Sequence, residues 1–226
     1  MKNELTKRII SSVILAPISI FFIIQESIFF IFFLSLIFII TAHEWYKMNK
    51  NVYIKIFGII FLLFSFYLAY LLRSQNGFNF FIFVILISVL TDLGGYIFGK
   101  IFKGPKLTKI SPKKTYAGVL GSFIISVFGG LIFFEYMTGV KSIITIIFIS
   151  FDPYGISLNL FIFFLILVIS VISQLGDLTI SYFKRIAKIK NTGKIIPGHG
   201  GLLDRIDGII FVIPVIFLII ELGGIF

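Results

Sequence analysis

The chain has 226 residues, 58% of them hydrophobic and only 13% charged, with a mean hydropathy of +1.10, a balance far outside the range of soluble domains. Its net charge of +10 points to anionic partners, and because the lysines sit in short loops between apolar runs, lipid and phosphate fit better than nucleic acid. Without a single cysteine, disulfides, thiolate metal sites and a cysteine nucleophile are excluded.

The chain opens with a basic stretch, Met1 to Arg8, before an apolar run over 9–25. This resembles a signal peptide, but no small-residue cleavage site leads into a polar segment, so it reads as a retained first span. Further apolar runs follow at 28–43, 53–72, 78–102, 116–134, 157–183 and 208–226. Lipid offers no partners for a bare backbone, so each run has to be helical, and each approaches the roughly 20 residues that a bilayer core requires. A run at 142–151 is too short to span and is cut by Asp152-Pro153, which suggests an interfacial or re-entrant piece. The expected fold is an all-α polytopic integral membrane protein with about seven transmembrane helices. Residues 1–75 supply N-terminal spans, and 76–226 form a catalytic transmembrane region with loops at 103–115 and 184–207.

Of the 20 lysines and arginines, only Arg73 and Lys141 fall on one side when the loops are numbered alternately. The positive-inside rule therefore puts both large basic loops in the cytoplasm.

Among the ten acids, Glu4, Glu26, Glu44, Glu135, Asp152 and Glu221 lie at or near span ends or in loops and call for no special role. Asp92, Asp177, Asp204 and Asp207 lie within or directly against apolar helices, where a carboxylate costs roughly 2.5 to 3.5 kcal/mol unless it meets protein, water or a cation. Asp204 and Asp207 are one turn apart, so a helix starting near Leu202 would project both from one face; an ordinary helix start with acids at the positive end of its dipole is the plainer alternative. Before them, Pro197-Gly198-His199-Gly200-Gly201 removes side chains where backbone N–H groups could wrap an anion, or simply forms a flexible turn. Ser111-Pro112-Lys113-Lys114-Thr115, in the other basic loop, sets two hydroxyls and two lysines beside a fixed turn that could grip a phosphate. A topogenic charge cluster attracted to anionic headgroups would also explain its lysines. Carboxylates beside substrate phosphate are what Mg²⁺ prefers.

Ser181-x-x-Lys184-Arg185, then Lys190, then Pro197-Gly198-His199-Gly200-Gly201-x-x-Asp204-Arg205-x-Asp207 resembles the signature of phosphatidate cytidylyltransferases, also called CDP-diacylglycerol synthases. Ser111 to Thr115 and the Gly176-Asp177 pair resemble the same family, so the match covers about 90–208. The resemblance implies a membrane nucleotidyltransferase that makes CDP-diacylglycerol and pyrophosphate from CTP and phosphatidic acid. It implies Mg²⁺, with a potassium ion beside it, and a homodimer in the cytoplasmic (inner) membrane. By motif position, Asp177 and Asp204 resemble the metal ligands. Lys184, Arg185 and Arg205 would neutralise developing charge, and Asp207 would orient the metal shell or Arg205. Ser111, Lys113, Lys114, Thr115, Ser181, Lys190, His199, Gly200 and Gly201 would meet substrate. Two positions depart from the family pattern, which has Lys-Asp at Lys190-Asn191 and Lys-Thr-Trp-Glu-Gly at Lys114-Thr115-Tyr116-Ala117-Gly118. A CTP-dependent polyprenol kinase is the alternative from similar chemistry, and an ion-coupled transporter the alternative from a different class.

Overall fold

The computed structural model describes residues 2–25, 28–108, 110–139, 153–196, 198 and 200–223. The 142–151 run and two members of the glycine-rich turn, Pro197 and His199, lie outside the described residues. Among the described residues the helices are α1 Lys2–Ile24, α2 Ile28–Met48, α3 Val52–Ile101, α4 Tyr116–Thr138, α5 Pro153–Ile186, the single turn α6 Leu203–Ile206, and α7 Ile209–Gly223. Among the described residues the only β pairing is two isolated antiparallel bridges, Lys106 with Thr115 and Ile196 with Gly200.

The all-α membrane architecture expected from the sequence is present. Among the described residues four helices are long and apolar enough to cross a bilayer: α2, α3, α4 and the Leu160–Ile186 part of α5. The runs at 53–72 and 78–102 are both carried by α3, and the polar stretch between them is helical except at Gly77, whose φ of 80° and ψ of 171° break the helix. Fifty residues would extend about 75 Å at 1.5 Å per residue, far beyond a core of about 30 Å. The expected seven crossings therefore need α3 to count twice about Gly77, and the shorter apolar parts of α1 and α7 to cross as well.

The chain packs as two units, Met1–Phe78 with Thr179–Phe226, and Asn79–Leu178. The C-terminal segment with its basic loop thus packs in one unit with the first helices. In this first unit, Thr41, Glu44, Trp45 and Met48 recur at helical spacing along α2 and are all buried. Trp45, Met48, Leu62, Ile180, Leu203 and Ile210 form the core. Trp45 packs edge-on to Phe183 with centroids 4.9 Å apart and donates its indole N–H to Ile54 O at 3.0 Å. Gly58 permits this approach, because a Cβ there would overlap the indole. Pro214 lies inside α7 and has no N–H for the carbonyl of Ile210. Ser65 fills that gap, donating its hydroxyl to Ile210 O at 2.8 Å.

In the second unit, the later arm of α3 and α4 meet through small residues. A Cβ on Gly94 would run into the backbone of Gly121, and one on Gly118 into the carbonyl of Gly95; such surfaces are how helices associate tightly in lipid. Hydroxyls tie the interior together, Ser122 to Thr91 O at 2.8 Å and Thr91 to Ser170 Oγ at 3.0 Å.

Candidate active site

Each basic loop builds its own cluster. In the first unit α5 ends in a Schellman cap: Ile189 N–H bonds Lys184 O, Lys188 N–H bonds Arg185 O, both at 3.0 Å, and Lys188 takes the left-handed position at φ 56°. This fixes Lys184 in the last turn. Its ammonium reaches Asp204 Oδ1 at 2.7 Å, with the two side chains 12% and 8% exposed. The other oxygen of Asp204 accepts the N–H groups of Thr192 at 2.8 Å and Gly201 at 3.1 Å.

The glycine-rich turn is closed by paired backbone bonds between Ile196 and Gly200, 3.0 and 3.2 Å long. Gly198 and Gly200 hold φ values of 78° and 95°, which other residues rarely adopt. Four N–H groups of the described part of this turn and of the helix start after it are engaged within the protein. Gly200 bonds Ile196, Gly201 bonds Asp204, and Leu202 and Leu203 bond Glu44. A single helical turn begins beside Leu202, where the sequence reading supposes a helix start. Asp204 lies in its first turn, and Asp207 follows it, buried at 6% and accepting Gly208 N–H at 3.1 Å. Around this cluster Arg185, Lys190, Lys194 and Arg205 are exposed, Ser181 is buried on α5, and His199 lies outside the described residues.

Glu44 corrects the sequence reading, which gave it no special role. Only 2% exposed, its carboxylate accepts the Thr192 hydroxyl at 2.9 Å, Leu202 N–H at 3.0 Å and Leu203 N–H at 2.9 Å. A charge taken out of water needs such a set of donors to be tolerated. The signal in the sequence was its register, since it shares the buried stripe of Thr41, Trp45 and Met48.

In the second unit the loop at 103–115 turns back on itself. Leu107 N–H bonds Lys114 O at 2.8 Å, Lys114 N–H bonds Ser111 O at 3.0 Å, and Tyr116 N–H bonds Pro105 O at 3.2 Å. Ser111 accordingly shapes the turn, its own N–H bonded to Thr108 Oγ1 at 3.2 Å, and Thr115 caps α4 by accepting Gly118 N–H at 3.1 Å. Lys114 reaches α5, with its ammonium 2.5 Å from Asp177 Oδ2 and 3.3 Å from Gln174 O, whereas Lys113 is exposed. Lys106, Leu107, Thr108 and Pro112 line a hollow of about 400 Å³, which sets a cation and a hydroxyl beside one space. Asp92 is on the exposed side of α3.

Among the described residues no three histidines or carboxylates come together as a ready-made metal cage. Asp204 and Asp177 are each held by a lysine, and each could serve as one of the one or two carboxylates through which a hard cation such as Mg²⁺ binds beside water and phosphate.

Residues 51–223 match the profile of the Cytidylyltransferase family. The chain belongs to this family. Among its relatives, a phosphatidate cytidylyltransferase of Rickettsia bellii (strain RML369-C) is 34% identical over 223 residues, covering 96% of this chain and 91% of its own. One from Rickettsia conorii (strain ATCC VR-613 / Malish 7) is 34% identical over 231 residues, with the same coverage. A third, from Staphylococcus haemolyticus (strain JCSC1435), is 36% identical over 153 residues, covering 67% of this chain and 52% of the relative. As a cytidylyltransferase the chain is a transferase of the membrane, and its family profile takes in both acid–lysine pairs, Lys184 with Asp204 and Lys114 with Asp177. Glu44 lies before the first matched residue.

Proposed function

We propose that this cytidylyltransferase converts CTP and phosphatidic acid to CDP-diacylglycerol and pyrophosphate. The observation that carries the reading is the Lys184–Asp204 pair, braced by backbone N–H groups and rimmed by exposed cations, in a chain whose relatives bear the name phosphatidate cytidylyltransferase.

A phosphate oxygen of phosphatidic acid attacks the α-phosphorus of CTP. The new P–O bond forms as the bond to the β-phosphate bridge breaks, and pyrophosphate leaves with that electron pair. No protein nucleophile is needed, so the enzyme acts by positioning and by neutralising charge. Lys184, Arg185 and Arg205 serve the developing negative charge, and Lys190 and His199 bind substrate. Asp204 would be a ligand for Mg²⁺, and Asp207 would orient its neighbours. Asp177 carries the same metal-binding proposal in its own unit, where Lys113, Lys114 and the Lys106–Thr108 hollow offer cations to phosphate. Bound there, Mg²⁺ would supply positive charge to the triphosphate, with K⁺ as a second cation; the chain acts as a homodimer in the cytoplasmic membrane, its basic loops facing the side where CTP is made.

Purified protein given labelled CTP, Mg²⁺ and either phosphatidic acid, diacylglycerol or a polyprenol tests this directly. Phosphatidic acid should be the acceptor converted fastest, because the cations exceed what a nucleotide alone needs and two phosphates must be brought together. Faster conversion of an alcohol would replace the reading with a lipid kinase.

A further inference from the structure

We infer that Glu44, on a helix outside the matched family profile, is a positioning residue that holds the Asp204 loop in its working shape by clasping Thr192. The inference rests on the proposed role of Asp204.

The two carboxylates grip the same residue from different sides. Thr192 gives its N–H to Asp204 Oδ2 and its hydroxyl to Glu44 Oε2, so the position of one acid is transmitted to the other through a single buried residue, itself 7% exposed. Gly201 repeats the link. Its N–H bonds Asp204, and a Cβ on it would overlap both Thr192 Oγ1 and Glu44 Oε2; a Cβ on Gly193 would meet Glu44 Oε1. These two glycines therefore admit the Glu44 side chain into the loop. Leu202 and Leu203, bonded to the same carboxylate, lead directly into Asp204. An acid with two oxygens meets all three donors, and Gln cannot, since its amide would turn N–H groups toward N–H groups.

Glu44 touches none of the reacting atoms, so its removal should lower kcat while leaving the fold. We expect Glu44→Gln to lose at least about thirtyfold in kcat per folded molecule, with the KM for CTP changed by less than about threefold. Thr192→Val should lose about tenfold, and Thr192→Ser, which keeps the hydroxyl, should restore most of it. The Glu44→Gln/Thr192→Val double variant should lose less than the product of the single losses, because both remove one clasp. A readout independent of turnover comes from a single cysteine at Ile196, 7% exposed in the intact loop. Its labelling by a thiol reagent should accelerate at least about tenfold in the Glu44→Gln background if the clasp keeps the loop shut.

Asp204→Asn is assayed beside these. An active Asp204→Asn would overturn the proposed role of Asp204. An inactive Asp204→Asn with a normal kcat in Glu44→Gln would overturn the Glu44 inference alone, as would an unchanged cysteine labelling rate or fully multiplicative losses. Should Glu44→Gln fail to accumulate, Thr192→Val against Thr192→Ser decides the matter with Glu44 in place: equal kcat in the two refutes the clasp.

Discussion

Lys184 spans twenty residues of sequence to set its ammonium 2.7 Å from Asp204, and both side chains are almost out of solvent. Such a pair owes its existence less to stability than to position, because the desolvation of two charges offsets most of their attraction. Removing one partner should then be worse for the fold than removing the charge from both. Lys184→Met is expected to cost about 3 kcal/mol by leaving Asp204 uncompensated, while the Lys184→Met/Asp204→Asn double variant recovers most of it. Thermal melting in detergent checks this. Both variants should be at least ~10³ slower in turnover, as loss of charge stabilisation at phosphorus requires. A double variant that regained activity together with stability would show the pair to be structural.

Gly201 and Gly139 separate crowding from backbone strain. Gly139 ends α4 at φ 71° with no atom of the described residues within 4 Å of where a Cβ would sit, whereas Gly201 faces Thr192 and Glu44 at overlapping distance. Gly139→Ala should cost about 1 kcal/mol of stability through its left-handed conformation and leave turnover intact. Gly201→Ala should reduce turnover by more than about a hundredfold, because the loop must shift to admit a methyl group. Assays normalised to folded protein compare the two, and a fully active Gly201→Ala would mean the loop tolerates displacement.

Orientation can be tested in intact cells because the chain has no cysteine of its own. Gln75 and Asn191 are both exposed, one at the break in α3 and one in the loop beside Asp204. If the basic loops are cytoplasmic, as the positive-inside rule predicts, an impermeant thiol reagent should label Gln75→Cys and spare Asn191→Cys. The reverse pattern would overturn the orientation and separate the loops from cytoplasmic CTP.

The helical architecture was legible because lipid leaves the backbone one solution, so apolar runs alone locate α1 to α5 and α7. The start of α6 beside Leu202 meets the condition under which Asp204 and Asp207 are read together, although the helix is a single turn that ends before Asp207. What composition could not give was how polar groups spend their bonds. The glycines after Pro197 suggest N–H groups open to an anion, yet those of Gly201, Leu202 and Leu203 serve Asp204 and Glu44, partners 3 and about 158 residues away. The backbone of Ser111 shapes its turn and the hydroxyl oxygen of Thr115 caps α4, duties that the residue types alone do not announce. Glu44 was passed over because a glutamate near a span end is ordinarily solvated, and only the stripe of Thr41, Trp45 and Met48 betrays that it faces inward.

Asn191 stands where the family pattern has an acid, and the loop geometry indicates that the amide is tolerated. Its side chain and Asp204 Oδ2 both lie 3.1 Å from where a Cβ on Gly200 would be, so an aspartate here would bring a second carboxylate near Asp204. The bonds that hold Asp204 in this loop come from the Thr192 and Gly201 backbones and from Lys184, and none of them needs the side chain at 191. Asn191 is exposed, so water can screen the added charge, and Asn and Asp have nearly the same shape and the same turn-forming acceptor oxygen. Asn191→Asp is therefore expected to shift kcat/KM by less than about tenfold, roughly 1.4 kcal/mol. Measuring kcat/KM for CTP across a range of Mg²⁺ concentrations checks this. A hundredfold gain on restoring the acid would mean that residue 191 is itself catalytic and that the chain works with one essential carboxylate missing.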